Sequence, residues 1–450
     1  MKKVITYGSF DLFHNGHYRL LERAKKLGDY LIVGVTTEYY DNSRGKLNVV
    51  DSLLMRIESV KKTGFADEII IEDHDGQKLE DIIKYGIDIF TVGSDWTGKF
   101  DFLKEYCDVV YLERTKLVSS TMLREQKFPI IKLGMIGTGR VAVRFPKELK
   151  YVSGIELTSV YNPKIDSAKK YAEQFELGLA TNNKDDFYDS VDAVNIASPH
   201  ETHIEYIMEA LERSKHVLCE KPMCLKETDA IKAFELAKAK NLTLMEGIKT
   251  AYAPGFVQLI GVARSGIIGN IRDVEAGFTK LIPQQTRELT DLDYGGAFTE
   301  LASYTLLPIL KLMGCNYEKV NFESLKQKDG IDIYTKAYFY YKNSLATAKT
   351  GLGIKSEGQL LISGTKGYIL AKSPWWLTKG FEICFEDTSK NEFIATKFLG
   401  QGFRYEISDF VKMIRGSLNG YEERLTVEES VTLAKLMEKF LSERKKAIAI

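Results

Sequence analysis

The sequence predicts an α/β protein in three parts: two parallel, doubly covered sheets in succession, then an α+β part with an open antiparallel sheet. Three observations carry this. Glycine-bearing strand–turn–helix openings stand at Val4–Asn15 and again at Ile130–Ala142. Behind each opening, short apolar runs alternate with helical periodicity as far as about residue 248, the rhythm of βαβ units. Beyond about residue 270 the strands become longer and alternate apolar with polar residues, which suits an antiparallel sheet with one solvated face.

The first unit opens on the strand Val4–Tyr7 and the turn Gly8-Ser9-Phe10-Asp11. From Asn15 an amphipathic helix runs through Tyr18, Leu20, Leu21, Ala24 and Leu27 and closes at Gly28. Strands follow at Tyr30–Val35, Glu68–Glu72, Ile87–Val92 and Val109–Leu112, with helices at Asp51–Lys62 and Leu79–Tyr85. In the second unit the strands are Ile130–Ile136, Leu157–Tyr161, Ala193–Ala197, His216–Cys219 and Thr243–Glu246, with a helix directly after the glycine turn. The third has strands at Asp273–Leu281, Ala337–Tyr341, Ala346–Thr350, Gln359–Ser363 and Gly367–Leu370, and ends on the helix Thr426–Arg444. At about 150 residues per domain, 450 residues also suggest three. Pro129 biases its predecessor away from helix, which sets the first boundary and gives domains at 1–127, 128–250 and 251–450.

Composition excludes several classes. Lys plus Arg number 62, as do Asp plus Glu. The balance is local as well: 18 basic and 21 acidic residues lie in 1–126, and 44 and 41 in the remainder. Neither part is the basic footprint of a nucleic-acid binder. No apolar run reaches the roughly 18 residues of a spanning helix, and the N-terminus meets Asp11 too early for a secretory leader. Cys107, Cys219, Cys224, Cys315 and Cys384 are odd in number and scattered, as in a cytoplasmic protein with reduced thiols.

Two motifs carry chemistry. His14 and His17 stand three apart where the first helix begins, so they share a face. Two imidazoles beside the free N–H groups of a helix start make a compact clamp for a phosphate. A metal site would need further ligands, and Asp11 fits poorly; a pair of surface histidines is the plain alternative. The second motif, Gly137-Thr138-Gly139-Arg140-Val141-Ala142, is a GxGxxA turn that lets backbone approach a pyrophosphate at a helix start. Where a ribose-binding acid would stand, the chain has Asn162, followed by Pro163 and Lys164. Asn does not repel a 2′-phosphate and Lys164 attracts one, which favours NADP over NAD.

Residues 1–125 resemble the glycerol-3-phosphate cytidylyltransferase family of HxGH nucleotidyltransferases, on three motifs. These are Gly8-Ser9-Phe10-Asp11-Leu12-Phe13-His14-Asn15-Gly16-His17, Gly93-Ser94-Asp95-Trp96-Thr97-Gly98-Lys99-Phe100-Asp101, and Arg114-Thr115-Lys116-Leu117-Val118-Ser119-Ser120-Thr121. The resemblance implies attack by a substrate phosphate on the α-phosphorus of CTP, with pyrophosphate expelled and Mg²⁺ neutralising it. It places Gly8, Ser9, Phe10, Asp11, His14, His17, Asp95, Arg114, Ser119, Ser120 and Thr121 against CTP, with His14, His17, Lys46 and Arg114 catalytic. Arg44, Lys46 and Arg56 would hold the acceptor's phosphate. Leu117 stands where the family has glycine, and the loop after Lys46 is one residue longer.

Residues 130–450 resemble the glucose–fructose oxidoreductase and inositol dehydrogenase family. The motifs are the GxGxxA turn, Ser198-Pro199-His200-Glu201-Thr202-His203, Glu220-Lys221-Pro222 and Gly295-Gly296-Ala297-Phe298-Thr299-Glu300-Leu301-Ala302-Ser303-Tyr304. The resemblance implies an NAD(P) site lined by Gly137, Thr138, Gly139, Arg140, Val141, Asn162, Lys164, Ser198, Pro199, His203, Glu220 and Lys221. Lys221 and Tyr304 would be the catalytic pair, since a buried amine readily changes its proton affinity. Glu300 replaces the family's aspartate and Ala302 a glycine. No resident metal is expected in either half. The combined expectation is a cytoplasmic, dimeric, bifunctional enzyme that acts on CTP and a small phosphorylated polyol or ketose. It would reduce a ketone to an alditol phosphate and convert that to a CDP-alditol. The alternative is a cytidylyltransferase whose second half is a non-catalytic regulatory or oligomerisation scaffold.

Overall fold

The structure, a computed structural model, describes residues 1–11, 13, 15–37, 40–41, 51–113, 130–416 and 424–444. It divides into two compact units, Met1–Ile130 with Lys150–Ile155, and Ile131–Leu149 with Glu156–Ile450.

The first unit runs β1 (Lys3–Gly8), α1 (Asn15–Lys25), β2 (Tyr30–Thr36), α2 (Leu53–Lys62), β3 (Glu68–Glu72), α3 (Gln77–Tyr85), β4 (Ile89–Gly93) and β5 (Asp108–Leu112). The five strands form one parallel sheet in the order β3-β2-β1-β4-β5. Alternation along β1 and β2 builds a core on each face. Val4, Leu31, Val33 and Val35 pack with Leu21, Ala24 and Val60 of the helices. Ile5, Tyr7 and Ile32 point the other way, against Ile82 and Phe90. Both faces are thus covered, the condition for a stable all-parallel sheet.

The second unit holds two sheets. The first has six strands in the order β11-β10-β9-β6-β7-β8. They are β6 (Ile131–Ile136), β7 (Ile155–Tyr161), β8 (Leu179–Thr181), β9 (Ala193–Ile196), β10 (His216–Glu220) and β11 (Leu244–Gly247). The intervening helices include α4 (Phe145–Leu149), α5 (Ile165–Phe175), α6 (Lys184–Asp189), α7 (His203–Glu212) and α8 (Glu227–Ala239). After α9 (Lys249–Tyr252) and α10 (Pro254–Arg264), the chain builds an eight-stranded sheet in the order β13-β14-β15-β12-β16-β17-β18-β19. Its strands are β12 (Ile271–Thr279), β13 (Lys319–Lys326), β14 (Asp332–Tyr341), β15 (Ser344–Gly351), β16 (Leu360–Gly364), β17 (Gly367–Ala371), β18 (Gly380–Phe385) and β19 (Glu392–Ala395). All its neighbours are antiparallel except β12 and β15, which run parallel.

The long helix α11 (Ala297–Met313) packs on this sheet and is buried along most of its length. Its start is fixed by a side chain from β14: Phe298 N–H donates to the buried Asp332 carboxylate at 2.8 Å. Gly296, just before it, has φ +111°, and a Cβ there would fall 2.0 Å from Asp332 Oδ1, so only glycine fits. The C-terminal helices α12 (Phe403–Ile414) and α13 (Val427–Glu443) complete the unit. Thr426 begins α13 with a reciprocal cap to Glu429.

Two local readings need correction. The expected helix directly after the GxGxxA turn is delayed: residues 140–144 form turns, and α4 spans only Phe145–Leu149. Strands β8, β13, β18 and β19 were not expected; β13 and β19 mix charged residues into their alternation, and β19 is an exposed edge. Among the described residues no helix is long and apolar enough to cross a membrane. All five cysteines are free thiols.

Helix α4 is tied to α12 by a buried ion pair. Arg404 donates from Nε and Nη2 to the two oxygens of Glu148, both at 2.9 Å. Breaking a buried pair strands the remaining charge, at a cost of roughly 3–5 kcal/mol. Arg404→Met should therefore lower unfolding stability by about that amount, and adding Glu148→Leu should recover much of it, as measured by denaturant titration of the full chain.

Candidate functional site

In the first unit the site is built where β1 ends. Phe10 adopts φ +50° and is buried, and its ring meets His17 edge-on at 5.4 Å. Phe13 approaches the same imidazole at 5.5 Å, so His17, in the first turn of α1, packs against two rings. The loop is organised by Arg56 from α2. Its Nη1 donates to the carbonyls of Ser9 (2.8 Å) and Thr36 (2.7 Å), and its Nε to that of Asp51 (2.9 Å). Asp41 lies 3.7 Å away as counter-charge. Asp11 is buried and accepts from Asp51 N–H at 2.9 Å. Gly8, Ser9, Phe10, Asp11 and His17 are thus brought together.

Arg56, expected at the acceptor's phosphate, is fully enclosed. It has no exposed side-chain area and serves carbonyl groups of the surrounding loops, an internal clamp for the site. His14, Arg44, Lys46, Arg114, Ser119, Ser120 and Thr121 lie outside the described residues, as does the side chain of Asp95.

In the second unit the site lies at the carboxyl ends of β6, β7, β9 and β10, where an open parallel sheet offers its ligand crevice. Gly137 has φ +98°, and a Cβ on it would sit 2.6 Å from Ala197 O, so the turn can hug β9 only as glycine. Beside Gly139 there is open space. Asn162 Nδ2 donates to Thr138 Oγ1 (3.0 Å), and its Oδ1 accepts from Lys164 N–H (2.9 Å). Ala142 is buried, and its carbonyl accepts from Tyr171 Oη at 2.7 Å. These residues fit an NAD(P) dinucleotide. Arg140 points instead to an ion pair with Glu288.

The two motif loops are stitched together by His203, which is fully buried. Its Nδ1 faces Pro222 O at 2.9 Å and its Nε2 faces Ser198 O at 3.0 Å. It is a structural tie beside the cofactor cradle. Lys221 Nζ donates to Glu300 O in α11 at 2.8 Å and lies 3.7 Å from Glu300 Oε2. The other Glu300 oxygen is 3.6 Å from His200 Nε2. Tyr304, one turn along α11, has its ring centroid 5.9 Å from the Lys221 ammonium. Phe278 packs on Tyr304 at 5.3 Å and stacks on Trp376 at 3.7 Å, giving the crevice an aromatic wall.

Burial dominates the electrostatics. It pushes the Tyr304 phenol well above its ordinary range, reinforced by the neighbouring Glu220 and Glu406. It lowers His200, aided by the positive charge of Lys221, which keeps that imidazole neutral. It raises Glu220 to about 7, against the opposing pull of Lys221, Lys249 and Arg144. Tyr304 therefore keeps its proton, beside a lysine. Sequence reasoning did not find Phe278, Trp376, Phe403, Lys249 or Glu406, because none stands in a recognisable motif. Among the described residues no group of three or more His, Cys, Asp or Glu is arranged to hold a metal ion.

Comparison with known proteins follows the same division. The chain matches the Cytidylyltransferase-like family over residues 5–126. It matches the Oxidoreductase family, NAD-binding Rossmann fold, over 131–248. It is 51% identical over 125 residues to a glycerol-3-phosphate cytidylyltransferase of Bacillus spizizenii, covering 28% of this chain and 96% of that one. A scyllo-inositol 2-dehydrogenase (NADP(+)) of Bacillus subtilis is 27% identical over 321 residues, 69% of this chain and 95% of the relative. A 3-ketoreductase from Actinomadura kijaniata, solved with NADP and TDP-benzene, superposes with a TM-score of 0.62 at 24% identity, covering 72% of this chain and 99% of that chain.

Burial also raises Glu246, at the end of β11, to about 7 from an ordinary 4.5, although Met223 N–H donates to it. A carboxyl raised on folding gives stability that is complete below about 4.5 and is lost as pH climbs through about 7. Glu246→Gln removes that loss. Its unfolding temperature relative to wild type should rise over this interval and level off above it; a pH-independent gap would contradict the burial argument.

Proposed function

Because the chain belongs over residues 5–126 to the cytidylyltransferase-like family, and carries behind it the NAD-binding Rossmann fold of an oxidoreductase family, we propose that it makes a CDP-alditol in two steps. One half reduces a ketose phosphate to an alditol phosphate. The other transfers CMP from CTP to that phosphate. Glycerol 3-phosphate, the substrate in the name of the half-identical relative, is the shortest acceptor of this class.

In the transfer, an oxygen of the acceptor's phosphate bonds to the α-phosphorus of CTP, and the bond to the bridging oxygen breaks to release pyrophosphate. No group on the enzyme becomes covalently attached, so the chain's contribution is positioning and stabilisation of charge on the equatorial oxygens. His17, packed against Phe10 and Phe13, and its motif partner His14 take that role in this reading, with Arg114 and Lys46 closing on the phosphates. Mg²⁺ accompanies CTP as part of the substrate.

In the reduction, a bound dinucleotide supplies the hydride to the carbonyl carbon. Tyr304 donates the proton to the carbonyl oxygen. Lys221, held by Glu300, orients that oxygen and offsets the charge left on the phenol. The observation that carries this reading, over a non-catalytic scaffold, is the Lys221–Glu300–Tyr304 cluster: Glu300, longer by one methylene than the family's aspartate, still reaches both Lys221 and His200. Asn162 and Lys164 support NADP as the dinucleotide. Both CTP and NADPH are cytoplasmic metabolites, which suits an enzyme of that compartment.

The two steps should separate by mutation. His14→Ala should abolish pyrophosphate release from CTP yet leave NADPH oxidation by a ketose phosphate intact. Lys221→Met should do the reverse. Near-wild-type pyrophosphate release by the histidine variant would overturn the transferase assignment. Failure of the wild type to bind NADPH or NADH in a fluorescence titration would instead make the second half a scaffold. Asn162→Asp sets a carboxylate against the 2′-phosphate and should lower kcat/KM for NADPH by about tenfold relative to NADH.

A further inference from the structure

Helix α9 begins two residues beyond the end of β11, and its first residue is Lys249. That places a lysine one strand over from Lys221, which follows β10 directly in the parallel pair β10–β11. The Lys249 ammonium stands 5.1 Å over the ring of Phe403, the first residue of α12. Arg144, just before α4, lies over the same ring, its guanidinium carbon 5.9 Å from the centroid. Two cations therefore rest on one aromatic ring. Among the described residues neither has a carboxylate oxygen within 4 Å. The nearby Glu148 accepts from Arg404 with both oxygens, and Arg144 Nε donates to the carbonyl of Arg140 at 3.3 Å.

The groups around them belong to the reduction site. Burial lowers Lys249; Glu406, Glu220 and Glu148 oppose that, and Arg144 adds to it. Glu406 is 1% exposed, and its Oε2 has no hydrogen-bond partner. That oxygen lies 3.6 Å from where a Cβ of Gly247 would stand, a point also 3.6 Å from the Cα of Glu220. Burial raises both Glu220 and Glu406 toward the neutral acid. Neither carboxyl forms an ion pair with the two cations, although both lie close enough to act on Lys249. A half-buried ammonium without a counter-ion is costly unless a ligand supplies the anion.

We propose that Lys249 and Arg144, resting on Phe403, form the anion subsite of the reduction site and select a ketose carrying a phosphate monoester. The inference rests on the reduction proposed above and gives it a specificity residue. Charge-assisted hydrogen bonds to a phosphate add affinity for the phosphorylated substrate over the same ketose without it.

The test uses the full chain with NADPH and matched ketoses of three to six carbons, each with and without a terminal phosphate. Wild type should prefer the phosphorylated member in kcat/KM. Lys249→Met should shrink that preference by about tenfold, mostly through KM, and Lys249→Arg should largely restore it. In parallel, NADPH emission is titrated with inorganic phosphate while CTP saturates the transferase site. Phosphate should perturb the emission in wild type and far less in Lys249→Met. An unchanged preference and an unchanged phosphate response in Lys249→Met overturn the subsite while leaving the reduction standing. No NADPH oxidation by any ketose, with a Lys249-dependent phosphate response, overturns the reduction and leaves the anion site. Loss of both signals in wild type overturns both.

Discussion

The candidate site of the second unit depends on one contact, the ammonium of Lys221 bonded to the carbonyl of Glu300. It joins a loop at the end of β10 to a helix that belongs to the other sheet of the same unit. Without it, Lys221 has no fixed direction and Tyr304 no fixed partner. The large sheet then has a clear purpose. It buries α11 along its length, and Asp332 from β14 pins the helix start, so Glu300 and Tyr304 are presented from a rigid support. The Glu148–Arg404 pair performs the same service on the other side, locking the short helix behind the glycine turn to α12. Hydrogen bonds across such distances in sequence hold geometry only because the surrounding core is close-packed.

The first unit solves its version of the problem with a buried cation. A loop at the end of a parallel strand carries carbonyls that the sheet no longer satisfies. Arg56 answers those of Ser9 and Thr36 with one nitrogen, and that of Asp51 with another. Phe10, held at positive φ, then turns its ring inward against His17. An arginine is suited to this because its planar fork reaches several acceptors from one rigid group. The His17 imidazole is thus aimed by aromatic packing and by backbone groups that Arg56 keeps in place.

Much of this was legible in the sequence, for physical reasons. The parallel strands are short apolar runs between helices of clear periodicity, so β1, β2, β3, β6 and β10 fall where the pattern puts them. The glycine turns, the paired histidines and the Lys221 motif are local, and so are the constraints that shape them. What escaped was what depends on tertiary neighbours. The strands β13 and β19 mix charges into their alternation because part of each is exposed. The carbonyl contacts of Arg56 could not be read, since an arginine that binds carbonyls looks like any other in a sequence. Lys249 was invisible for the same reason: only the fold sets it over Phe403 beside Arg144.

In the two-step reading proposed above, the two chemistries place different demands on one functional group. In the transfer, the phosphate of the metabolite is the nucleophile, and the protein must leave one of its oxygens free while neutralising the others. In the reduction, the same phosphate does no chemistry and serves only as a handle, so every oxygen can be engaged. An anion site made of Lys249 and Arg144 over an aromatic ring, with raised carboxyls close by, suits the second demand. It fixes a charged end by position and leaves the proton-handling groups, Lys221 and Tyr304, to the carbonyl. A chain that joins both activities therefore needs two unlike phosphate sites for one metabolite, and selectivity for the phosphorylated ketose in the first step supplies what the second step requires.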